Sequence, residues 1–98
     1  MAMAEFYDFS PGRGGDGMVL DVSGNIYLTA GSGENGGVYI FSPMGEHLAL
    51  VPTPESPTNC TFGGPDLTTL YITAETSVYA VECTTPGFLA YPKTDGGV

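Results

Sequence analysis

Short apolar runs separated by glycine- and proline-containing turns follow one another along this chain. Such a pattern is typical of β-strands joined by tight turns. In Ile26–Ala30, aliphatic side chains alternate with Tyr27 and Thr29. Both faces of this strand are therefore largely apolar, as in a sheet packed between two neighbours. No segment shows helical periodicity longer than a turn, so the chain is predicted to be all-β.

The pattern divides the chain into nine predicted strands with loops between them. They are Glu5–Phe9, Met18–Val22, Ile26–Ala30, Gly37–Phe41, His47–Val51, Cys60–Phe62, Thr69–Ala74, Ser77–Cys83 and a weak Phe88–Tyr91. The glycine-rich stretches 11–17 and 31–37 are expected to be loops. The proline-rich stretch 53–57 is expected to be an extended link, because proline cannot donate within a central strand.

Two parts of the chain repeat the same order of motifs. The units Ile26-Tyr27-Leu28-Thr29-Ala30 and Leu70-Tyr71-Ile72-Thr73-Ala74 lie 44 residues apart, from Tyr27 to Tyr71. A period of about 40–50 residues of short strands indicates propeller blades. The chain is therefore predicted to be one partial β-propeller domain, a fragment of about two four-stranded antiparallel blades. Residues 5–52 would hold a strand from a preceding blade plus the first blade, 57–91 the second blade, and 92–98 a flexible tail.

Charge and composition limit the partners of this chain. It has 11 Asp and Glu residues against two Lys and Arg, a net charge of −9. Nucleic acid and acidic membranes bind clustered cations, so neither is expected as a partner. The start of the chain lacks the basic and apolar regions of a secretory signal, and no run has the length of a transmembrane helix. We therefore expect a cytoplasmic location, with Cys60 and Cys83 as reduced thiols in the core.

The order and spacing of several motifs resemble the gluconolactonase / regucalcin (senescence marker protein) family of six-bladed propellers. The motifs are Asp16-Gly17-Met18, Gly24-Asn25-Ile26-Tyr27, Gly37-Val38-Tyr39-Ile40-Phe41-Ser42-Pro43, and Pro57-Thr58-Asn59-Cys60-Thr61-Phe62-Gly63-Gly64 before Leu70-Tyr71-Ile72-Thr73. The resemblance covers most of the chain and implies the last two of six blades. Family members are much longer. Either the N-terminal blades are missing here, or copies form a homo-oligomer, most simply a trimer that closes a six-bladed ring.

Asp16 is the main candidate for a functional residue. The innermost strand of a propeller blade lines the central channel, and Asp16 directly precedes that strand in the first repeat. The resemblance implies that this aspartate binds a divalent cation and helps to activate water against a lactone. Ca²⁺ is the first choice, because it prefers carboxylate oxygens, and Zn²⁺ or Mn²⁺ are alternatives. The alternative is a solvated turn aspartate at the start of a strand.

Three further residues are candidates for contacts to a substrate. Thr58 is the counterpart of Asp16 when the inner strands of the two repeats are aligned. Its hydroxyl could line the channel or be satisfied by local backbone. Asn59 could hydrogen-bond a hydroxyl of a sugar acid. Arg13 could contact an anionic substrate or pair with a carboxylate.

Other motifs do not change this picture. Residues 12–17 match G-x-G-x-x-G, but the β-rich sequence after them excludes the helix that a dinucleotide site needs. His47 is expected at the surface, without the partner ligands of a metal site. Two functions remain. The chain is part of a metal-dependent sugar-lactone hydrolase, incomplete as a catalyst alone, or it is a non-catalytic module for self-assembly or for ligand or calcium binding.

Overall fold

The strands form two separate antiparallel sheets. The computed structural model describes residues 3–10 and 14–88, with strand order β1-β2-β3-β4 in the first sheet and β5-β6-β7 in the second. The strands are β1 (Met18–Leu20), β2 (Ile26–Ala30), β3 (Gly37–Phe41), β4 (His47–Pro52), β5 (Pro57–Gly63), β6 (Thr69–Ala74) and β7 (Val78–Glu82). Each strand pairs with the next one along its sheet, so both sheets are simple meanders. A single 3₁₀ turn, Gly33–Asn35, interrupts the loop before β3.

The two sheets pack face to face around one hydrophobic core. The buried members of that core are Tyr27, Val38, Cys60, Phe62, Leu70 and Ile72. Tyr27 of β2 and Phe62 of β5 meet edge to face across the interface, with ring centroids 5.0 Å apart. Each fully buried aliphatic or aromatic side chain stabilises such a core by about 1.5–3 kcal/mol. The predicted alternation in β2 is confirmed, since Tyr27 faces the second sheet while Ile26 and Leu28 face away from it.

Asp21 organises the turn between β1 and β2. Its Oδ1 accepts hydrogen bonds from the backbone N–H groups of Ser23 (2.9 Å) and Asn25 (3.0 Å). Its Oδ2 accepts one from the side-chain amide of Asn25 and one from the hydroxyl of Tyr27, both at 3.0 Å. Asp21 is buried, and Gly24 takes the positive φ of 85° that the turn requires. The expected strand Met18–Val22 therefore stops at Leu20.

The N-terminal segment 5–9, expected to be a strand, is not one. Its aromatic rings instead lie on the face of the first sheet that points away from the second. Tyr7 is 4.7 Å from Phe41 between ring centroids, and Phe9 is 5.1 Å from Tyr39. A segment that lies on the face of a sheet cannot join the hydrogen-bond ladder in its plane. Contacts between aromatic rings take the place of strand pairing in this segment.

The chain after β7 corrects a second expectation. Gly87 forms an isolated antiparallel bridge with Asp21, and the N–H of Phe88 donates to the carbonyl of Leu20 at 2.9 Å. Phe88 therefore lies beside the first sheet and does not extend the second. The rest of the predicted strand Phe88–Tyr91 and the tail 92–98 lie outside the described residues. Within the described part of the chain the second blade has three strands, where four were expected.

β5 begins at Pro57, three residues before the predicted start. Proline is tolerated there because it is the first residue of the strand. None of the helical segments in the described ranges is long and apolar enough to cross a bilayer.

Candidate metal and substrate site at the start of the inner strands

Asp16 lies in the segment that leads into β1 and is exposed to solvent. Its backbone N–H donates to the carbonyl of Thr29 at 2.8 Å, and the N–H of Thr29 donates to the carbonyl of Gly17 at 2.9 Å. These bonds extend the pairing of β1 with β2 beyond the end of β1. The backbone of Asp16 is thus held by a strand of the core while the residue itself remains accessible.

Gly17 is the point at which the two blades touch beside Asp16. A Cβ atom on Gly17 would lie 2.9 Å from the Cα of Asn59 and would overlap its side-chain amide. Glycine is therefore required here for close approach of the second blade rather than for an unusual φ. Through this contact, Asn59 of β5 lies next to the residue that follows Asp16.

A β-bulge at Thr58 sets the direction of Asn59. Pro57 pairs with Ala74 and Asn59 pairs with Thr73, which leaves Thr58 as the extra residue. The bulge allows Pro57 and Cys60 both to be buried, although an odd separation in a regular strand would place them on opposite faces. Thr58 and Asn59 are both exposed. Bulges are common beside active sites because they redirect a side chain.

Hydrogen bonds of the second sheet tie the bulge to β6. The hydroxyls of Thr58 and Thr73 are 2.9 Å apart, and the hydroxyl of Thr73 also lies 3.3 Å from the carbonyl of Asn59. The Oδ1 of Asn59 accepts from the N–H of Cys60 at 2.8 Å, which fixes the amide while leaving its oxygen a second lone pair. The hydroxyl of Thr58 is therefore hydrogen-bonded to the neighbouring Thr73, in line with the expected alternative that local groups satisfy it.

A small cavity of about 170 Å³ adjoins these residues. Its lining is Asn59, Cys60, Thr61, Tyr71 and Thr73. Three of these residues carry hydroxyl groups, so the cavity offers both donors and acceptors. Burial raises the pKa of the Cys60 thiol to about 11, so this thiol stays protonated at neutral pH.

The Asp16 carboxylate fits a hard cation in kind, because it is an oxygen ligand of the type that Ca²⁺ takes. Ca²⁺ requires about six to eight such ligands. Asn59 contacts the neighbouring Gly17. Among the described residues, no group of three or more His, Cys, Asp or Glu side chains could hold a metal. The described residues alone therefore do not complete such a coordination shell.

The structure brings together some of the predicted site residues. Asn59 contacts Gly17, the residue after Asp16, and Thr58 precedes Asn59 in the chain. Arg13 lies outside the described residues. Sequence reasoning missed Gly17 and the threonine of each repeat, Thr29 and Thr73, although the repeated unit that contains both threonines was visible.

Two antiparallel meanders packed face to face, with polar residues ahead of the first strand of each, are adjoining blades of a β-propeller. The model of the SMP-30/Gluconolactonase/LRE-like region matches residues 2–76. The chain belongs to this family.

Two relatives support the assignment. A gluconolactonase of Zymomonas mobilis is 39% identical over 85 residues, which cover 85% of this chain and 22% of that protein. An X-ray structure of a protein assigned as a gluconolactonase superposes with a TM-score of 0.76 at 33% identity. That match covers 89% of this chain and 28% of the other. The chain thus spans about a quarter of the length of these relatives.

Proposed function

We propose that this chain is part of a metal-dependent sugar-lactone hydrolase. In this proposal Asp16 is a metal ligand and catalytic carboxylate, and Thr58 and Asn59 contact the substrate. The observation that carries it is the meeting of the Asp16-Gly17 segment with Asn59 across the blade interface. Family membership and the names of both relatives support the choice of a lactone as substrate.

The chemistry follows from the types of residue present. A bound divalent cation, with Ca²⁺ favoured over Zn²⁺ or Mn²⁺, would polarise the carbonyl of the lactone. Asp16 would hold the cation through one carboxylate oxygen and accept a proton from the attacking water at the other. The amide of Asn59 and the hydroxyls around the neighbouring cavity would orient the hydroxyls of the sugar.

A calcium titration tests the role of Asp16. Binding at ten times the Kd stabilises the folded state by about 1.4 kcal/mol. For a domain of this size, that corresponds to a rise in Tm of about 6–11 °C. Asp16→Asn should abolish this rise, while Asp66→Asn, which removes another exposed carboxylate, should preserve it. A calcium-dependent rise that survives in Asp16→Asn would refute the proposed ligand.

We also propose that copies of the chain associate, most simply as a trimer. The sheet face of the second blade that points away from the first leaves Tyr71 40% exposed, and the adjoining strand leaves Val78 66% exposed. A second copy packed on this face would cover both and would add carboxylates from further Asp16 residues around a shared axis. Sedimentation velocity tests this directly, because a stable monomer at micromolar concentration would exclude it.

A non-catalytic module for ligand binding or assembly is the second candidate. It is favoured because the described residues include no group of three or more His, Cys, Asp or Glu side chains that could hold a metal. Hydrolysis of gluconolactone, followed with a pH indicator in Ca²⁺, Zn²⁺ or Mn²⁺, distinguishes the two. Turnover that depends on Asp16 supports the hydrolase, and calcium binding without turnover supports the module.

A further inference from the structure

The repeated threonines Thr29 and Thr73 occupy equivalent positions in the second strand of each blade. Each follows a tyrosine by two residues and precedes an alanine. In both blades the threonine hydroxyl reaches the backbone of the residue opposite it on the neighbouring segment, Gly17 just before β1 in one and Asn59 within β5 in the other. These two residues are also the pair that meets across the blade interface.

Thr29 fixes the segment that carries Asp16. Its side chain is fully buried, and its Oγ1 accepts a hydrogen bond from the N–H of Gly17 at 2.9 Å. The same hydroxyl donates to the carbonyl of Gly17 at 3.3 Å. Thr29 therefore binds the N–H of Asp16 through its carbonyl, the N–H of Gly17 through its hydroxyl, and the carbonyl of Gly17 through both its hydroxyl and its backbone N–H. The position of Asp16 is therefore set by a core residue.

Thr73 fixes the segment that carries Asn59. Its hydroxyl can accept from Thr58 and donate to the carbonyl of Asn59, so one side chain spans the extra residue of the bulge. The bulge in turn determines where the amide of Asn59 lies relative to Gly17. Thr73 is exposed, so loss of its hydroxyl does not leave a buried group unsatisfied.

We propose that Thr29 and Thr73 are a pair of positioning residues that hold the Asp16-Gly17 segment and Asn59 in register across the blade interface. Neither touches the cation in this assignment, and each acts through the backbone that it binds. The expected effect on metal affinity rests on the proposed function. The geometric part concerns only how Gly17 and Asn59 are held together.

The test compares Thr73→Val and Thr29→Val with Thr73→Ser and Thr29→Ser. Valine keeps the shape and removes the hydroxyl, whereas serine keeps the hydroxyl. Thr69→Val is the matched control, because Thr69 lies in the same strand as Thr73 but bonds the carboxylate of Glu82. Two readouts are used: the nuclear Overhauser contact between Gly17 Hα and Asn59 Hβ, and the Kd for Ca²⁺ by calorimetry.

We expect both valine variants to weaken the contact. Thr29→Val should also raise the Kd for Ca²⁺ about tenfold, because Thr29 holds the segment that carries the proposed ligand Asp16. The serine variants and Thr69→Val should resemble the wild type. A wild-type contact in either valine variant, a wild-type Kd in Thr29→Val, or an equal loss of the contact in Thr69→Val would overturn the inference. If the wild-type chain binds no calcium, the proposed metal site fails, and the Overhauser contact alone decides whether the threonines position the two segments.

Discussion

Replacement of Asp21 by alanine should strongly destabilise the chain, although this residue takes no part in the proposed site. The substitution removes four hydrogen bonds to a buried carboxylate. The hydroxyl of Tyr27 is left buried without this acceptor, which costs about 1–3 kcal/mol. Water can reach the turn and partly replace the hydrogen bonds that the N–H groups of Ser23 and Asn25 lose. We therefore assign about 1 kcal/mol to each of these two bonds. The expected total is about 3–5 kcal/mol.

Urea denaturation followed by circular dichroism measures this loss, and a double-mutant cycle with Tyr27→Phe isolates the hydroxyl. Because Tyr27→Phe removes the group that Asp21→Ala leaves unsatisfied, the double variant should be about 1–2 kcal/mol more stable than additivity predicts. The Tm of Asp21→Ala should fall by about 12 °C or more. A loss of less than about 1 kcal/mol, or additivity within about 0.5 kcal/mol, would refute this account of the turn.

Three other predictions follow from individual contacts. Gly17→Ala should destabilise the chain by about 1–3 kcal/mol in urea denaturation, because its Cβ would meet the backbone of the second blade. Gly14→Ala, whose Cβ would meet nothing within 4 Å, should leave the stability unchanged, and equal effects of the two substitutions would contradict the close contact. Hydrogen bonds from Thr76 hold the pKa of Glu55 below its usual 4.5, so their stabilisation is present above that value and lost as pH falls through the lower native pKa. Glu55→Gln should therefore flatten the acid dependence of the urea midpoint, and an unchanged dependence would count against it. The Cys60 thiol, with a pKa of about 11, should react with a disulfide reagent at pH 8 only as fast as the chain unfolds, and rapid native labelling would disagree.

The strands that the sequence predicted best are those fixed by alternation and bounded by turn residues. β2, β3 and β6 have the predicted limits. In each, aliphatic side chains alternate with aromatic or threonine residues, so that a shift by one residue would turn the buried face outward. The local pattern therefore determined both the strand and its register.

The errors arose where tertiary contacts override the local pattern. Residues 5–9 have the aromatic content of a strand, but their rings pack against aromatic side chains on the face of a sheet. Asp21 appeared in the sequence as a polar position within a strand, and its burial depends on four donors that only the folded turn assembles. The bridge of Gly87 to Asp21 in the first sheet is likewise a tertiary contact that the local pattern does not indicate.

The sequence indicated candidate residues for the site but not the contacts between them. Asp16 could be selected from its place before the inner strand and from the family resemblance, and Thr58 from the alignment of the repeats with Asn59 beside it. The contact of Asn59 with Gly17 depends on the packing of one sheet on the other. The glycine that allows this packing lies between Asp16 and Met18 and carries no chemistry of its own. A close approach of two backbones leaves no composition signal beyond the glycine itself.

The position of the site within the repeat has a physical reason. Asp16, ahead of β1, and Thr58, at the bulge near the start of β5, are both exposed, while the strands supply the core. Substitution at an exposed position changes stability little, usually within about 0.5 kcal/mol. These positions can therefore differ between blades, a carboxylate in one and a hydroxyl in the other, while the threonines and the core that hold them stay the same. A site formed between blades needs both repeats, so its geometry depends on the interface more than on either blade alone.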